Sequence, residues 1–338
     1  MKRITLNDIA AISNYSVRTV KKVVSGNGRV SDNAREAILD AIEKTGYKKN
    51  EIASTLAKNE HHHILIMIYL TKTKDFIEEC KLGFIKALDE YEDYGIGIEF
   101  AFYSDCLEGK QLLKDAANRQ DLSAVIIHVG GIKKLDEEID ALVDSGIPVF
   151  TFNSDAPNSK RRCFLGPKAY ESGRIGAQIL ANYISQKGNV FVMYLEGIGT
   201  QTIERSRGFC EKINEAYPEI LISDVRIPNN PELYYEIVKS IVLKQDIKAF
   251  FCTDTYCRIA ASALRDLKRK DIVVLGFDIT EESKALMRDG YLTIVIDQNT
   301  SYQAYTLLKL VAEYLLFGYQ PPEVVNTEVS ILISEFLR

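Results

Sequence analysis

From Ile64 to Ile296 the chain repeats one pattern that few folds accommodate: a short apolar run, a stretch with helical spacing, then another apolar run. Nine runs read this way: Ile64–Leu70, Ile96–Phe102, Ala124–His128, Pro148–Phe152, Val190–Tyr194, Ser223–Ile227, Ala249–Cys252, Ile272–Phe277 and Thr293–Ile296. Helical patterns fill most gaps, as over Phe76–Tyr91, Tyr170–Ile184, Glu204–Glu215 and Tyr302–Phe317. Strands that are apolar on both faces belong in a parallel sheet covered by helices on each side, so the pattern predicts an α/β body. At roughly 30 residues per βαβ unit, nine strands divide better into two sheets than one. A cleft between two such lobes, outside the carboxyl ends of the strands, is where a ligand is expected.

The first 47 residues follow a different rule. Leu6, Ile9, Ala10 and Ile12 form an apolar stripe at helical spacing, with Thr5 placed as its N-cap. The stripe breaks at Ser13-Asn14-Tyr15-Ser16, where Asn14 tolerates a left-handed turn and Ser16 suits the cap of the next helix. That helix, V-R-T-V-K-K-V-V-S, ends at a Gly-Asn-Gly cluster, and Ser31 opens a third helix striped by Ala34, Ile38, Ala41 and Ile42. On a helical wheel Val20, Val23 and Val24 share one side, while Val17, Arg18, Lys21 and Lys22 share another. A helix, a tight turn and a second helix with a basic outward face is helix-turn-helix chemistry, the second helix suiting the major groove.

Charge separates the same two regions. The whole chain carries −5, but Met1–Glu60 holds eleven basic against seven acidic side chains, so +4 stands at the head and −9 on the rest. Only the head is then expected to meet a polyanion. The six cysteines form no CxxC pair, which reads as reduced, buried thiols with no metal and no cofactor implied. The start M-K-R-I-T-L-N-D-I lacks the apolar core of a signal peptide, and Ile64–Leu70 is too short to span a bilayer. A cytoplasmic protein with no membrane partner is expected.

Polar residues gather where the strand-like runs of the body end. Asn153-Ser154-Asp155 follows V-F-T-F, Asp254 follows F-F-C-T, Asp278 follows V-L-G-F, and Asp297-Gln298 follows V-I. Any one of these alone reads as a turn or cap residue. Their recurrence at one end of successive strands reads as a site for a polyhydroxylated ligand, since carboxylates and amides accept and donate to hydroxyls.

The head stretch I-T-L-N-D-I-A-A-I-S-N-Y-S-V-R-T-V-K-K-V-V-S-G-N-G-R-V-S, with A-I-E-K-T-G-Y-K-K-N-E-I-A-S-T-L-A after it, resembles the lactose-repressor family of transcriptional regulators. The resemblance implies a helix-turn-helix headpiece over 1–48, a hinge helix and linker over 49–62, and a sensor over 63–338. The sensor would have two Rossmann-like lobes, about 63–162 with 298–324 and about 163–297 with 325–338. It implies base contacts from Val17, Arg18 and Lys22, phosphate-side positions at Ser16, Thr19 and Lys21, and DNA-facing Thr5, Asn50 and Ala53. It also implies a hinge leucine, here Leu56, wedged into the minor groove. Three positions depart from the family pattern: Asn14 for Gly, Lys49 for Pro, and Lys21-Lys22 for Ser-Arg. The last replaces a bidentate guanidinium with a single ammonium.

The body resembles the periplasmic sugar-binding-protein fold. The segment I-E-R-S-R-G-F implies Arg205 as a ligand contact; Asn153, Asp254, Asp278 and Gln298 follow from the matching strand ends, with Phe76 as a stacking ring. Longer spacing after Asp254 adds Tyr256 or Arg258. The resemblance implies a homodimeric repressor of operator DNA, controlled by a sugar or sugar derivative, with induction the expected sign. Rival readings are weaker. E-G-I-G-T-Q-T-I-E lacks the third glycine of a dinucleotide motif, where Thr202 stands, and no G-x-S-x-G is present. His61-His62-His63 reads as a solvated linker. A transport binding protein is opposed by the basic head.

Overall fold

The computed structural model describes residues 6–25, 30–45, 61–70, 74–131, 135–195, 199–228 and 230–337. The chain divides into two units, Met1–Glu60 and His61–Arg338. Thr5 and the hinge positions Asn50, Ala53 and Leu56 lie outside the described residues.

The first unit holds α1 (Leu6–Ser13), α2 (Val17–Ser25) and α3 (Asp32–Thr45). Ile9, Val20 and Ile38 are fully buried between them, with Ala10, Val23 and Ala41 closing the small core. Asn14 turns the chain at φ 58, as its residue type allows. Ser16 Oγ accepts the Thr19 backbone N–H at 3.2 Å and so caps α2. Ile12 departs from the expected stripe: it is 51% exposed, because the buried face of α1 is set by Ile9, Ala10 and Ser13.

The second unit contains two six-stranded sheets. In the first, β1 (His62–Tyr69) lies between β2 (Ile96–Tyr103) and β3 (Leu122–His128), and β4 (Val149–Phe152), β5 (Cys163–Pro167) and β11 (Val324–Thr327) follow outward, all parallel. The second runs β12 (Ser330–Leu332), β10 (Ile294–Asp297), β9 (Val273–Phe277), β8 (Ala249–Cys252), β6 (Gly188–Leu195), β7 (Ile220–Ile227), with only β12 antiparallel.

Alternation along each strand explains the double burial. Ile64, Ile66 and Ile68 of β1 meet α4 (Lys74–Tyr91) and α12 (Thr300–Phe317), while Leu65 and Met67 point to the opposite face, toward α5 (Cys106–Ala117) and α6 (Asp136–Asp144). In the second lobe Val190 and Val192 of β6 face α7 (Ala169–Tyr183) and α8 (Thr200–Ala216). Met193 and Leu195 face α9 (Pro231–Lys244) and α10 (Cys257–Asp266), in a core that α11 (Glu281–Arg288) also joins through Leu286 and Met287.

The chain crosses between lobes three times: from β5 to α7, from β10 to α12, and from β11 to β12. This corrects the expected lobe boundary. Residues 163–167 and 324–327 belong to the first sheet, because β5 pairs with both β4 and β11. His62 and His63, expected in a linker, open β1; the His63 ring Nδ1 lies 3.0 Å from Asp121 Oδ2.

Candidate functional site

Two surfaces carry the residues singled out above. On α2, Arg18 and Lys22 are exposed, while Val17 is half-buried against the core of the head. Of the predicted base contacts, Val17 therefore divides its side chain between core and surface. Thr19 Oγ1 and Ser16 Oγ lie 2.9 Å apart and so engage each other. Lys21 lies on the same helix, its side chain outside the described residues.

The second surface is a cavity of about 930 Å³ between the carboxyl ends of the two sheets. It brings together all six predicted residues, Phe76 and Asn153 from the first lobe with Arg205, Asp254, Asp278 and Gln298, and adds Tyr256. Arg258 is not among its lining residues; its guanidinium pairs instead with Glu282 at 2.8 Å.

Local backbone aims these side chains. Asn153, Asp278 and Asn299 each leave a strand end with φ between 54 and 62, a left-handed conformation that Asn and Asp adopt at the lowest cost among residues with a Cβ. Arg205 sits in the second turn of α8, which is pressed against α7 at Gly173. A Cβ there would lie 2.1 Å from the Arg205 carbonyl oxygen, so only glycine permits this depth.

Arg205 is the electrostatic centre. It is 2% exposed, its Cζ lies 3.9 Å from the Phe277 ring centroid, and Nη1 donates to the Thr253 carbonyl at 2.8 Å. Burial lowers its pKa against the pull of Asp278 and Asp254, yet a guanidinium starts so high that it stays charged. Burial pushes Asp254 up to about 6 and Asp278 in the same direction, with Arg205 opposing both shifts. Asp297 is also pushed up to about 6, by burial and then by the neighbouring Asp278. His128, its ring tilted against Phe76 with centroids 4.7 Å apart, has its pKa lowered to about 3 by burial alone and is neutral.

Five buried atoms on lining residues have no partner within the protein: Arg205 Nε, Gln201 Nε2, His128 Nδ1, Asp254 Oδ2 and Gln298 Oε1. Buried polar atoms of this kind cost about 1–3 kcal/mol each when unmatched. Amide and guanidinium donors beside carboxylate and amide acceptors, with an aromatic wall at Phe76, suit a small molecule rich in hydroxyl groups. Asp297, read with Gln298 among the strand-end polar residues, lines the cavity as well. Sequence reasoning missed His128 and Gln201 as members of the site; His128 stood at a strand end, the signal used for the others, and Gln201 stood one turn before Arg205.

The raised carboxylates make a pH prediction. A group whose pKa rises on folding adds stability below its unfolded value, and that contribution is lost as pH climbs through the folded value. Asp297→Asn is therefore expected to melt with the wild type near pH 4 and above it at pH 8. The difference should reach about 1–2 kcal/mol, discounted for a partly open site. Calorimetric melting of the ligand-free protein checks this; a variant less stable at pH 8 would contradict it.

Comparison with known proteins places both surfaces. Residues 5–50 match the model for bacterial regulatory proteins of the lacI family, and residues 64–319 match the periplasmic binding protein domain. The Sucrose operon repressor of Pediococcus pentosaceus is 23% identical over 318 residues, 90% of this chain and 89% of that protein. The HTH-type transcriptional repressor PurR of Mannheimia succiniciproducens is 23% identical over 293 residues, 83% of each chain. The maltose regulon regulatory protein MalI of Escherichia coli is 34% identical over 88 residues, 26% of this chain and 25% of that protein.

Among solved structures, GanP, a glucose-galactose binding protein from Geobacillus stearothermophilus, superposes with a TM-score of 0.73 at 22% identity, covering 82% of this chain and 99% of its own. A structure from Bacteroides fragilis described as a LacI transcriptional regulator gives 0.74 at 17% identity, covering 82% of this chain and 98% of its own. Among the described residues no helix is long and apolar enough to cross a membrane. The chain thus joins a DNA-binding domain of the lacI family, over residues 5–50, to residues 64–319, which place most of it in the periplasmic binding protein domain family.

Proposed function

We propose that the protein is a cytoplasmic repressor whose operator affinity is set by a small polyhydroxylated ligand, a sugar or sugar derivative, held between the lobes. The observation that carries this reading is the cavity beyond a helix-turn-helix head. Its lining comes from both lobes, so ligand bound there has a stake in their spacing. Several relatives are named as repressors, and GanP is named for binding glucose and galactose. Binding without turnover is expected, in keeping with relatives that are regulators.

A homodimer fits the exposed apolar edges of both lobes. On the first, Leu82 and Ile85 of α4 are about half exposed near Phe102 on the edge strand β2, over whose ring Lys81 of α4 reaches at 5.3 Å. On the second, Ile203 of α8 and Leu221 of the edge strand β7 are 46% and 64% exposed. Exposed apolar surface at one edge of each lobe suits a second copy of the chain. A dimer presents two heads, so the operator should be nearly palindromic. Leu56, Asn50 and Ala53 carry the hinge part of the proposal through the family resemblance.

Selection of binding sites from randomised duplexes by the full-length protein tests the reading, repeated with Lys22→Ala. We expect two inverted half-sites for the wild type and, for Lys22→Ala, relaxed preference at one base pair per half-site, worth about 1–3 kcal/mol. Uniform weakening across all sequences would make Lys22 a phosphate contact. A single unrepeated site would contradict the dimer.

A further inference from the structure

The chemistry of the ligand can be narrowed, on the reading that the cleft takes a small polyhydroxylated molecule. The charges lining the cleft do not balance. Arg205 acts on both Asp254 and Asp278, so one guanidinium is shared by two buried carboxylates. Asp297 is left over. It accepts the backbone N–H groups of Ile279 and Asn299, and the charged groups that act on it, Asp278 and Glu79, are both anionic. Glu79 comes from α4 of the first lobe and Asp297 from β10 of the second, so the surplus lies between the lobes. Lys86, the other cation among the described lining residues, is exposed and holds its ammonium over the Tyr305 ring at 5.3 Å.

A second, independent feature lies beside Asp297. Gln298 is 3% exposed, and its Nε2 donates to Asp278 Oδ1 at 2.7 Å. That bond fixes the amide so that Oε1 is the free end, and Oε1 has no partner in the protein. Asp254 is placed likewise: Oδ1 accepts the Tyr256 backbone N–H at 2.7 Å, and Oδ2 is unmatched. Beside the unmatched Arg205 Nε these two oxygens call for donors, and Asp297 adds a call for positive charge.

We propose that the effector carries a protonated amine, as an amino sugar or an amino polyol does, and that its ammonium is held by Asp297 with Glu79 facing it from the other lobe. A hydroxyl in that position donates one hydrogen bond and leaves the buried charge uncompensated. An ammonium donates three and neutralises it. Because the acceptors stand on different lobes, the same group draws the cleft closed. Asp297 thereby becomes the residue that separates amino from neutral forms of one carbon skeleton.

The test is calorimetric titration of the full-length protein with matched pairs: glucosamine and glucose, galactosamine and galactose, 1-amino-1-deoxysorbitol and sorbitol. Each is run on the wild type and on Asp297→Asn, which keeps the shape and removes the charge. In at least one pair the amine should bind the wild type ten or more times tighter than its neutral partner. In Asp297→Asn that ratio should fall below threefold, because the amine loses the carboxylate that compensates its charge. A neutral partner that binds as tightly in every pair overturns the amine and leaves the polyhydroxylated ligand standing. A ratio that survives in Asp297→Asn overturns the role of Asp297. If no member of any pair binds, the sugar reading of the cleft falls, and the amine with it.

Discussion

Replacing Arg205 by methionine is expected to abolish ligand binding, weakening it by more than about a thousandfold, while operator binding by the head is retained. Two losses combine. The ligand loses the unpartnered Nε donor, and Asp254 and Asp278 lose the only cation they share among the described lining residues. Breaking a buried charge pair by removing one partner typically costs about 3–5 kcal/mol. The variant should therefore also melt earlier, and its carboxylates should take up protons near neutral pH. Arg205→Lys is not expected to rescue it, since an ammonium cannot donate to Thr253 and lie flat on Phe277 at once. Calorimetry and operator titration on the same preparation separate the two functions. A variant that binds ligand within threefold of the wild type would remove Arg205 from the centre of the site.

The second large effect comes from a residue that touches no ligand. Gly173→Ala places a Cβ 2.1 Å from the Arg205 carbonyl oxygen, 2.9 Å from its carbon and 3.0 Å from its Cα. All three are backbone atoms, so no side chain can swing aside, and α7 and α8 must part. The contact is reciprocal, because a Cβ at Gly208 of α8 would lie 2.1 Å from the Tyr170 carbonyl oxygen of α7. Overpacking of this kind costs about 1–3 kcal/mol and more where the backbone itself must move. Urea unfolding should show a lower midpoint for Gly173→Ala, with ligand affinity reduced through displacement of Arg205. Gly97→Ala, whose nearest neighbour is the His62 carbonyl oxygen at 4.0 Å, serves as the control that should change neither. An unchanged midpoint for Gly173→Ala would mean that the helices have room the geometry denies.

How much of this was legible in the residues follows from what each signal depends on. Runs such as Ile64–Leu70 and Val190–Tyr194 announce central strands because both faces are buried, and that burial is written into consecutive apolar residues. The strands that escaped, Cys163–Pro167, Val324–Thr327 and Ser330–Leu332, are short or broken by glycine and proline, and β11 and β12 lie at sheet edges. Edge strands need less apolar sequence, so periodicity does not mark them. Their absence displaced the lobe boundary, since the crossings after β5 and β11 are fixed by pairing over long distances.

The site was legible for a related reason. Asn153, Asp254, Asp278 and Gln298 each follow an apolar run, so the strand pattern itself located them at one end of the sheets. Their convergence with Arg205 is a fact of the fold, as is the failure of Arg258 to join them once Glu282 holds it. Gln201 and His128 were hidden because one sits in a helix and the other is a lone histidine. Only the cavity shows that each leaves a buried nitrogen unmatched.

The central claim is that occupancy of the cleft sets the affinity of the head for DNA. It is tested most directly by fluorescence anisotropy of the full-length protein on its selected operator, with and without a ligand that calorimetry shows to saturate the cleft. The account predicts at least a tenfold fall in operator affinity on saturation, about 1.4 kcal/mol of coupling, and no change for Arg205→Met. A ligand that fills the cleft of the wild type at full stoichiometry and leaves operator affinity unchanged would contradict it.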